Sequence, residues 1–112
     1  MCLFCKIVAK QIPAKVLFED DDLLAFHDIN PGAPTHVLVI PKAHLAGLGD
    51  AEPEHAALLG KLMLATRRVA ELTGIAQSGF RVVANTGAGV GQSVFHLHIH
   101  VLGGRAMGWP PG

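Results

Sequence analysis

The sequence predicts an α+β domain in which a mostly antiparallel sheet packs against one long helix. Short apolar runs bounded by turn residues lie on both sides of a central stretch with helical spacing, and strands and helices do not alternate. The chain has 112 residues, of which 50% are hydrophobic, enough for one core. We therefore expect a single domain over residues 1–112, with five strands, one long helix and one short helix.

The elements follow one another in a simple order. Residues 2–10 are apolar at helical spacing before Ile12-Pro13, which predicts a short N-terminal capping helix. Strands are predicted at 15–18, 23–27 and 36–40, separated by the turn segments 20–22 and 30–34. A fourth strand is expected at 80–84, and the glycine-rich loop 87–91 leads into a fifth.

The long helix is predicted from Asp50, a suitable N-cap, to Leu72, just before Gly74. Its apolar residues recur at helical spacing and form the predicted core stripe, which comprises Leu58, Leu59, Leu62, Ala65, Val69 and Leu72. Its charged residues lie on the opposite face, which we expect to be exposed.

Three histidines occupy alternate positions in the run from Gln92 to Leu102: His96, His98 and His100. On an extended strand they project from one face, while the residues between them are expected to be buried on the other: Phe95, Leu97, Ile99 and Val101. Adjacent imidazoles disfavour each other's protonation, so at least one should remain nucleophilic at neutral pH. We interpret the three as a reaction site; the alternatives are ordinary strand residues or ligands of a catalytic metal.

Composition argues against several classes of partner. Nine basic and nine acidic residues give zero formal charge, so bulk electrostatics do not favour a nucleic acid polymer. No apolar run approaches the length of a membrane span, and no leader-like segment is recognisable, so we expect a cytoplasmic protein without a membrane partner. Two cysteines fit reducing surroundings better than a disulfide framework.

The His-x-His-x-His pattern, preceded by Gly91-Gln92-Ser93-Val94, resembles the signature of the histidine triad (HIT) superfamily. Matching segments cover almost the whole chain: 18–21, 26–29, 34–42, 85–87, 103–105 and 109–112. The closing Trp-Pro-Pro-Gly and the long helix are similar to the Hint branch, the purine-nucleoside phosphoramidases. The resemblance implies a HIT-like fold whose sheet continues across a homodimer. It also implies a nucleotide-binding hydrolase whose substrates are purine nucleotide (AMP or GMP) conjugates and which cleaves their P–N bond, as in adenosine 5'-monophosphoramidate and AMP-lysine.

The resemblance also implies a role for each residue of the triad. His98 matches the nucleophile, which forms a covalent nucleotidyl-histidine intermediate. His100 is expected to hydrogen-bond the phosphate and His96 to lie beside the leaving group. His36 matches a fourth histidine of the site, and Ser93 is expected to place a hydroxyl near the departing amine.

Nucleotide binding is expected to centre on Asp28, which matches a carboxylate that binds the ribose hydroxyls, with Ile29 beside it. The remaining expected contacts are Phe4, Phe26 and Leu38 at the base and Asn85, Gly91, Gln92 and Ser93 around the phosphate. From the residues alone, the apolar members can equally be core and Asn85 a turn residue. The glycines at 87, 89 and 91 can likewise form a phosphate cradle or a plain turn.

Cys2-x-x-Cys5 has a spacing found in zinc sites, and His44 and His96 can complete a tetrahedron. Some bacterial HIT proteins carry such a site, whereas many of the Hint branch lack the cysteines, so structural zinc and simple packing remain open. We expect that catalysis requires no cofactor.

Two other functions stay open: a dinucleoside polyphosphate hydrolase, and a nucleotide-binding regulatory module with incidental hydrolysis. His27 and His55 match no motif, and we expect them at the surface. The Trp109-Pro110-Pro111 tail is expected to lie extended over a surface, since prolines exclude regular helix and central strand.

Overall fold

A computed structural model describes residues 2–112 of the chain. The strands are β1 (Val16–Glu19), β2 (Leu23–His27), β3 (Thr35–Pro41), β4 (Phe80–Val83) and β5 (Ile99–Gly103), and the helices are α1 (Leu3–Val8) and α2 (Ala56–Thr73). The strands form one antiparallel sheet in the order β1-β2-β3-β5-β4. The predicted α+β architecture, with one long and one short helix, is confirmed.

The two faces of the sheet carry separate apolar cores. On one face α2 packs through Leu62, Ala65 and Val69 against alternate residues of the strands, among them Val37, Val39, Ile99 and Val101. On the other face α1 packs through Phe4 and Ile7 against Leu24, Phe26, Leu38 and Ile40. Because strand side chains alternate, His36 and His100 share the face that carries α1.

The long helix begins later than its sequence predicts. Asp50 belongs to a single 3-10 turn, Leu48–Asp50, and a second turn, Pro53–His55, precedes α2. Glu52 and His55 form a reciprocal capping box at that second turn, and Pro53 favours the start of a helical turn. The predicted N-cap at Asp50 is therefore wrong, whereas Gly74 ends the helix as expected, with φ +80°.

Two predicted core residues are exposed. Leu72 is 53% exposed because it lies beside the buried face of α2, which at this end of the helix consists of Val69 and Ala70. Phe95 is 52% exposed, because the chain bends at residues 94–96 and β5 starts only at Ile99. The strict strand alternation thus holds from Leu97 onward, where Leu97, Ile99 and Val101 are buried as predicted.

None of the helices among residues 2–112 combines the length and apolar character that crossing a membrane requires.

Candidate active site

The histidines lie where β5 meets the centre of the sheet. His100 on β5 pairs with Leu38 on β3, which in turn pairs with Phe26 on β2, so these three side chains stand side by side. His98 precedes β5 and contacts Phe4 of α1 edge to face, with 5.1 Å between the ring centroids. The sheet therefore presents the histidines beneath α1.

The tautomer of His98 is fixed by the backbone. Its Nδ1 lies 2.7 Å from the carbonyl oxygen of His96. A carbonyl oxygen can only accept, so Nδ1 must carry the proton. The lone pair of a neutral His98 is then on Nε2, the nitrogen that a nucleophile would use.

A second chain of hydrogen bonds fixes His36 and His100. The Gly32 N–H donates to His36 Nδ1 at 2.9 Å, which places the proton of neutral His36 on Nε2. His36 Nε2 then donates to His100 Nδ1 at 2.8 Å, so His100 carries its proton on Nε2. His100 thus presents a hydrogen-bond donor, whereas His98 presents an acceptor.

Burial keeps this pair of imidazoles neutral. It lowers the pKa of His100 to about 4, and the nearby His98 and His36 act in the same direction. Burial also lowers the pKa of His36, although Asp28 opposes it from 3.4 Å. Desolvation is therefore the main cause of both lowered pKa values. The mutual repulsion of the imidazoles, which the sequence predicted, is the second cause for His100.

A pocket of about 620 Å³ opens in front of His98 and His100, a volume in the range of small-molecule sites. Eight of the residues with a sequence-predicted role line it: Phe4, Phe26, Asp28, Ile29, Leu38, Ser93, His98 and His100. Its apolar wall is completed by α1 and the segment after it, through Leu3, Ile7, Ile12, Pro13 and Ala14. Phe4 and Phe26 meet edge to face, with ring centroids 5.5 Å apart.

His27 and Lys15 also line this pocket, although the sequence prediction gave neither a role. His27, expected at the surface, is half-buried where it ends β2 beside Asp28. The Lys15 carbonyl accepts from His27 N–H at 3.0 Å, which holds both at the same pocket edge. No sequence motif marks this contact.

His55, the other histidine without a sequence-predicted role, lies at the N-terminus of α2, where its Nδ1 accepts from Glu52 N–H.

The glycine-rich loop is held together by Gln92, which is 5% exposed. Its amide nitrogen donates to Ala46 O at 2.7 Å and its oxygen accepts from Gly87 N–H at 2.8 Å. Gly91 N–H donates to Ala88 O at 3.2 Å, so two of the glycine N–H groups already serve the loop itself. Of the residues predicted to act on or bind the nucleotide, Asn85, Gly91, Gln92, His36 and His96 are not among those that line the pocket in the described part of the chain. His96, expected beside the leaving group, is fully buried between Pro41 O and the two cysteines.

The cysteines and two histidines form a separate cluster at the start of α1. Cys2, Cys5, His44 and His96 place one sulfur or nitrogen each within 4.8 Å of one another. His96 Nε2 lies 2.8 Å from Pro41 O and must carry the proton, which leaves Nδ1 bare toward Cys2 Sγ at 3.4 Å. Two thiols and two imidazoles suit tetrahedral zinc. The Cys2 side chain raises the pKa of the Cys5 thiol, so a cation would have to displace its proton.

A second group of ligating atoms belongs to Asp28, His36 and His100. A metal on His36 Nε2 would require the proton to move to Nδ1, where the Gly32 N–H already points. Two donors would then face each other. This arrangement disfavours a metal and keeps the nitrogens for hydrogen bonding.

Comparison with known proteins agrees with this geometry. The HIT domain family model matches residues 9–107. An uncharacterised HIT-like protein of Synechocystis is 56% identical over 98% of this chain and 96% of its own length. The 14 kDa zinc-binding protein of Zea mays is 51% identical (98% and 87% covered), and the adenylylsulfatase HINT1 of Arabidopsis thaliana is 50% identical (98% and 76% covered). The crystal structure of a HIT family hydrolase from Legionella pneumophila superposes with a TM-score of 0.98, at 48% identity over all of both chains. The chain therefore belongs to the HIT domain family.

Proposed function

We propose that this protein is a hydrolase of nucleotides that cleaves the P–N bond of purine nucleoside phosphoramidates through a nucleotidyl-histidine. The observation that carries the proposal is the pairing of two opposite tautomers at one pocket. His98 offers a bare nitrogen, and His100 offers an N–H, as the hydrogen bonds of their other nitrogens require. Attack on phosphorus needs a nucleophile and a donor for the charged phosphate oxygens side by side.

The reaction runs in two displacements. His98 Nε2 attacks phosphorus, and the bond to the amine breaks as the new P–N bond forms. The amine leaves with the bonding electrons and takes up a proton from water, for which the Ser93 hydroxyl at the pocket wall offers a path. Water then displaces His98, gives up a proton and releases the nucleoside monophosphate.

The wall of the pocket supports a nucleotide as the substrate. Asp28 lines the pocket together with His98 and His100, and its carboxylate, 3.4 Å from His36 Nε2, can accept from two ribose hydroxyls. Phe4, Phe26 and Leu38 supply an apolar surface for a purine, and Ile29 stands at the rim, 91% exposed. Asn85, Gly91 and Gln92 are proposed to shape the phosphate side through the loop, and His36 to act through His100.

Cleavage of adenylyl sulfate is a second candidate, because a relative at 50% identity bears the name adenylylsulfatase. A dinucleoside polyphosphate hydrolase and a binding module with incidental hydrolysis are the remaining alternatives. Each of these substrates carries an adenylyl group, so the same nucleophile and pocket would serve. The leaving group alone distinguishes them.

The experiment compares turnover of adenosine 5'-monophosphoramidate, adenylyl sulfate and diadenosine polyphosphate by the same preparation, with the cytidine phosphoramidate as a control for the base. The proposal expects the highest kcat/KM for the purine phosphoramidate. Faster cleavage of either other substrate would transfer the function to that class. Tight nucleotide binding without turnover of any of them would make the protein a binding module.

We further propose that Cys2, Cys5, His44 and His96 hold a structural zinc ion, in line with the zinc-binding relative at 51% identity. It would tie α1, which walls the pocket, to the segment before His98. The proposed chemistry does not need it.

We also propose a cytoplasmic homodimer. β4 forms one edge of the sheet, with Phe80 38% exposed, and Arg81 on β4 holds the tail through Gly108 O at 2.8 Å. Pairing of two β4 edges would extend the sheet and bring the exposed Trp109 toward a partner. Light scattering on the wild type and on a Phe80→Asp variant tests this, because a charge at an exposed position of the edge strand disfavours pairing of two edges.

A further inference from the structure

Two groups favour the Nε2–H tautomer of His36: the Gly32 N–H, which donates to Nδ1 at 2.9 Å, and the Asp28 carboxylate, whose Oδ2 lies 3.4 Å from Nε2. Gly32 is the one that contacts Nδ1 directly, and it lies in the exposed turn between β2 and β3. Asn30 N–H donates to Asp28 Oδ1 at 2.9 Å, which fixes the beginning of this turn. The position of Gly32 itself is fixed by contacts with the segment that follows β5.

The chain that leaves β5 holds this turn at two points. Arg105 donates through Nη2 to Gly32 O at 2.9 Å and through Nη1 to Ala106 O at 3.1 Å. Gly104, with φ +92°, lies so close to Pro34 that a Cβ there would come within 2.9 Å of the Pro34 Cβ. The guanidinium thus joins the end of the catalytic strand to the residue that orients His36.

We propose that Arg105 is a positioning residue: by holding Gly32 it sets the tautomer of His36 and, through it, the tautomer of His100. The inference rests on the proposed function for its effect on turnover, but not for its effect on the imidazoles. Arg105 is exposed and does not line the pocket, so it acts only through other groups.

The consequence for catalysis follows from the hydrogen-bond directions. If Gly32 moves away, Nδ1 loses its donor and His36 can carry its proton on Nδ1, with a bare Nε2 toward His100; Asp28 Oδ2, 3.4 Å from Nε2, opposes this, so the two tautomers should coexist. His100 must then donate from Nδ1 and leave a lone pair on Nε2, which would face the negative oxygens of a phosphate. That tautomer repels the group that it should stabilise, so phosphate transfer slows while the base and ribose contacts remain.

The test uses Arg105→Gln, which loses the guanidinium fork, and Arg105→Lys, which keeps the charge and one donor. Arg81→Gln is the matched control, because Arg81 also donates to a tail carbonyl, Gly108 O, but does not touch Gly32. Gly32→Pro removes the N–H directly. Nitrogen-15 chemical shifts of the imidazoles report the tautomers of His36 and His100 without any substrate.

We expect Arg105→Gln to shift His36 and His100 from the pure Nε2–H form to a mixture, with Arg105→Lys intermediate and Arg81→Gln unchanged. The kcat on the phosphoramidate should fall about tenfold in Arg105→Gln with little change in KM, as for a misplaced group distant from the chemistry. Gly32→Pro should show the same change in shifts, to a greater degree.

Wild-type imidazole shifts in Arg105→Gln would overturn the proposal, and so would altered shifts with unchanged kcat. Equal changes in Arg81→Gln would also overturn it, since they would mean a general effect of the tail. If Arg105→Gln does not fold, Arg105→Lys and Gly32→Pro decide by the same readout. A wild-type protein that cleaves no phosphoramidate would refute the proposed function, while the shifts would still decide the role of Arg105.

Discussion

Replacement of His98 by asparagine should remove turnover and leave the nucleotide site intact. The amide of the new side chain has an N–H that can reach the same carbonyl of His96 that now accepts from His98 Nδ1 at 2.7 Å. Asparagine has no nitrogen lone pair in place of Nε2, however, so no covalent intermediate can form. The change therefore separates chemistry from structure.

The magnitude follows from these contacts. His98 is 7% exposed, and the retained hydrogen bond limits the loss in unfolding free energy to about 1–2 kcal/mol. The loss in kcat should be at least ~10³-fold, or about 4 kcal/mol of transition-state stabilisation, as for removal of a covalent nucleophile. Affinity for AMP should stay within about threefold, because each factor of ten requires about 1.4 kcal/mol of lost contact.

The assay combines multiple-turnover hydrolysis of adenosine 5'-monophosphoramidate with calorimetric binding of AMP and a thermal melt. Mass spectrometry of the wild type, quenched in neutral denaturant, should detect the nucleotidyl adduct, and the variant should show none. Multiple turnover within tenfold of the wild type, with AMP still bound, would refute the assignment of His98. An adduct that persists in the variant would move the nucleophile to another residue.

Three further predictions concern pH, ribose recognition and metal. The pKa of His36 and the pKa of His100 (about 4) are lower in the folded protein than in the unfolded chain, where a histidine has a pKa near 6.5. Below pH 6.5 the unfolded chain therefore binds more protons than the folded protein. The stability that these groups confer is present above pH 6.5 and is lost as pH falls toward 4, by up to about 1.4 kcal/mol per pH unit for each histidine. Denaturant unfolding at several pH values should show that the unfolding free energy of His100→Gln depends less steeply on pH than that of the wild type. An equally steep dependence would contradict this. Asp28→Ala should weaken AMP binding by about 1–3 kcal/mol and abolish the preference for ribose over 2',3'-dideoxyribose, which calorimetry with both nucleotides measures. If the variant keeps this preference, the Asp28 carboxylate does not bind the ribose. The purified protein should contain about one zinc per chain, and chelation should lower its Tm without abolishing turnover. Cys5→Ser should contain little metal, and its Tm should not respond to the chelator. If the metal-free wild type is as stable as the metal-bound protein, the two cysteines serve only in packing.

The sequence was sufficient for the layout of the fold because its signals are local. Strand periodicity and turn residues identify β2 without error and the other predicted strands to within a residue or two, apart from the late start of β5. Helical spacing identifies α2, and Gly74 its end, since only glycine readily adopts the left-handed cap. Where the prediction failed, at Asp50, Leu72 and Phe95, tertiary packing determined where the element begins or stops facing the core.

For the site, the residue pattern alone showed that three imidazoles alternate and that two cysteines have a spacing found in zinc sites, whereas the roles expected of Asp28 and Ser93 came from the resemblance to the HIT superfamily. The folded chain was needed to assign the proton of each imidazole, because that depends on the carbonyl oxygens of His96 and Pro41 and on the N–H of Gly32. Folding also brought Cys2 within 3.4 Å of His96, a residue 94 positions away, and placed His27 among the residues that line the pocket. Hydrogen-bond direction and long-range proximity are properties of the packed chain, and no local pattern of residues encodes them.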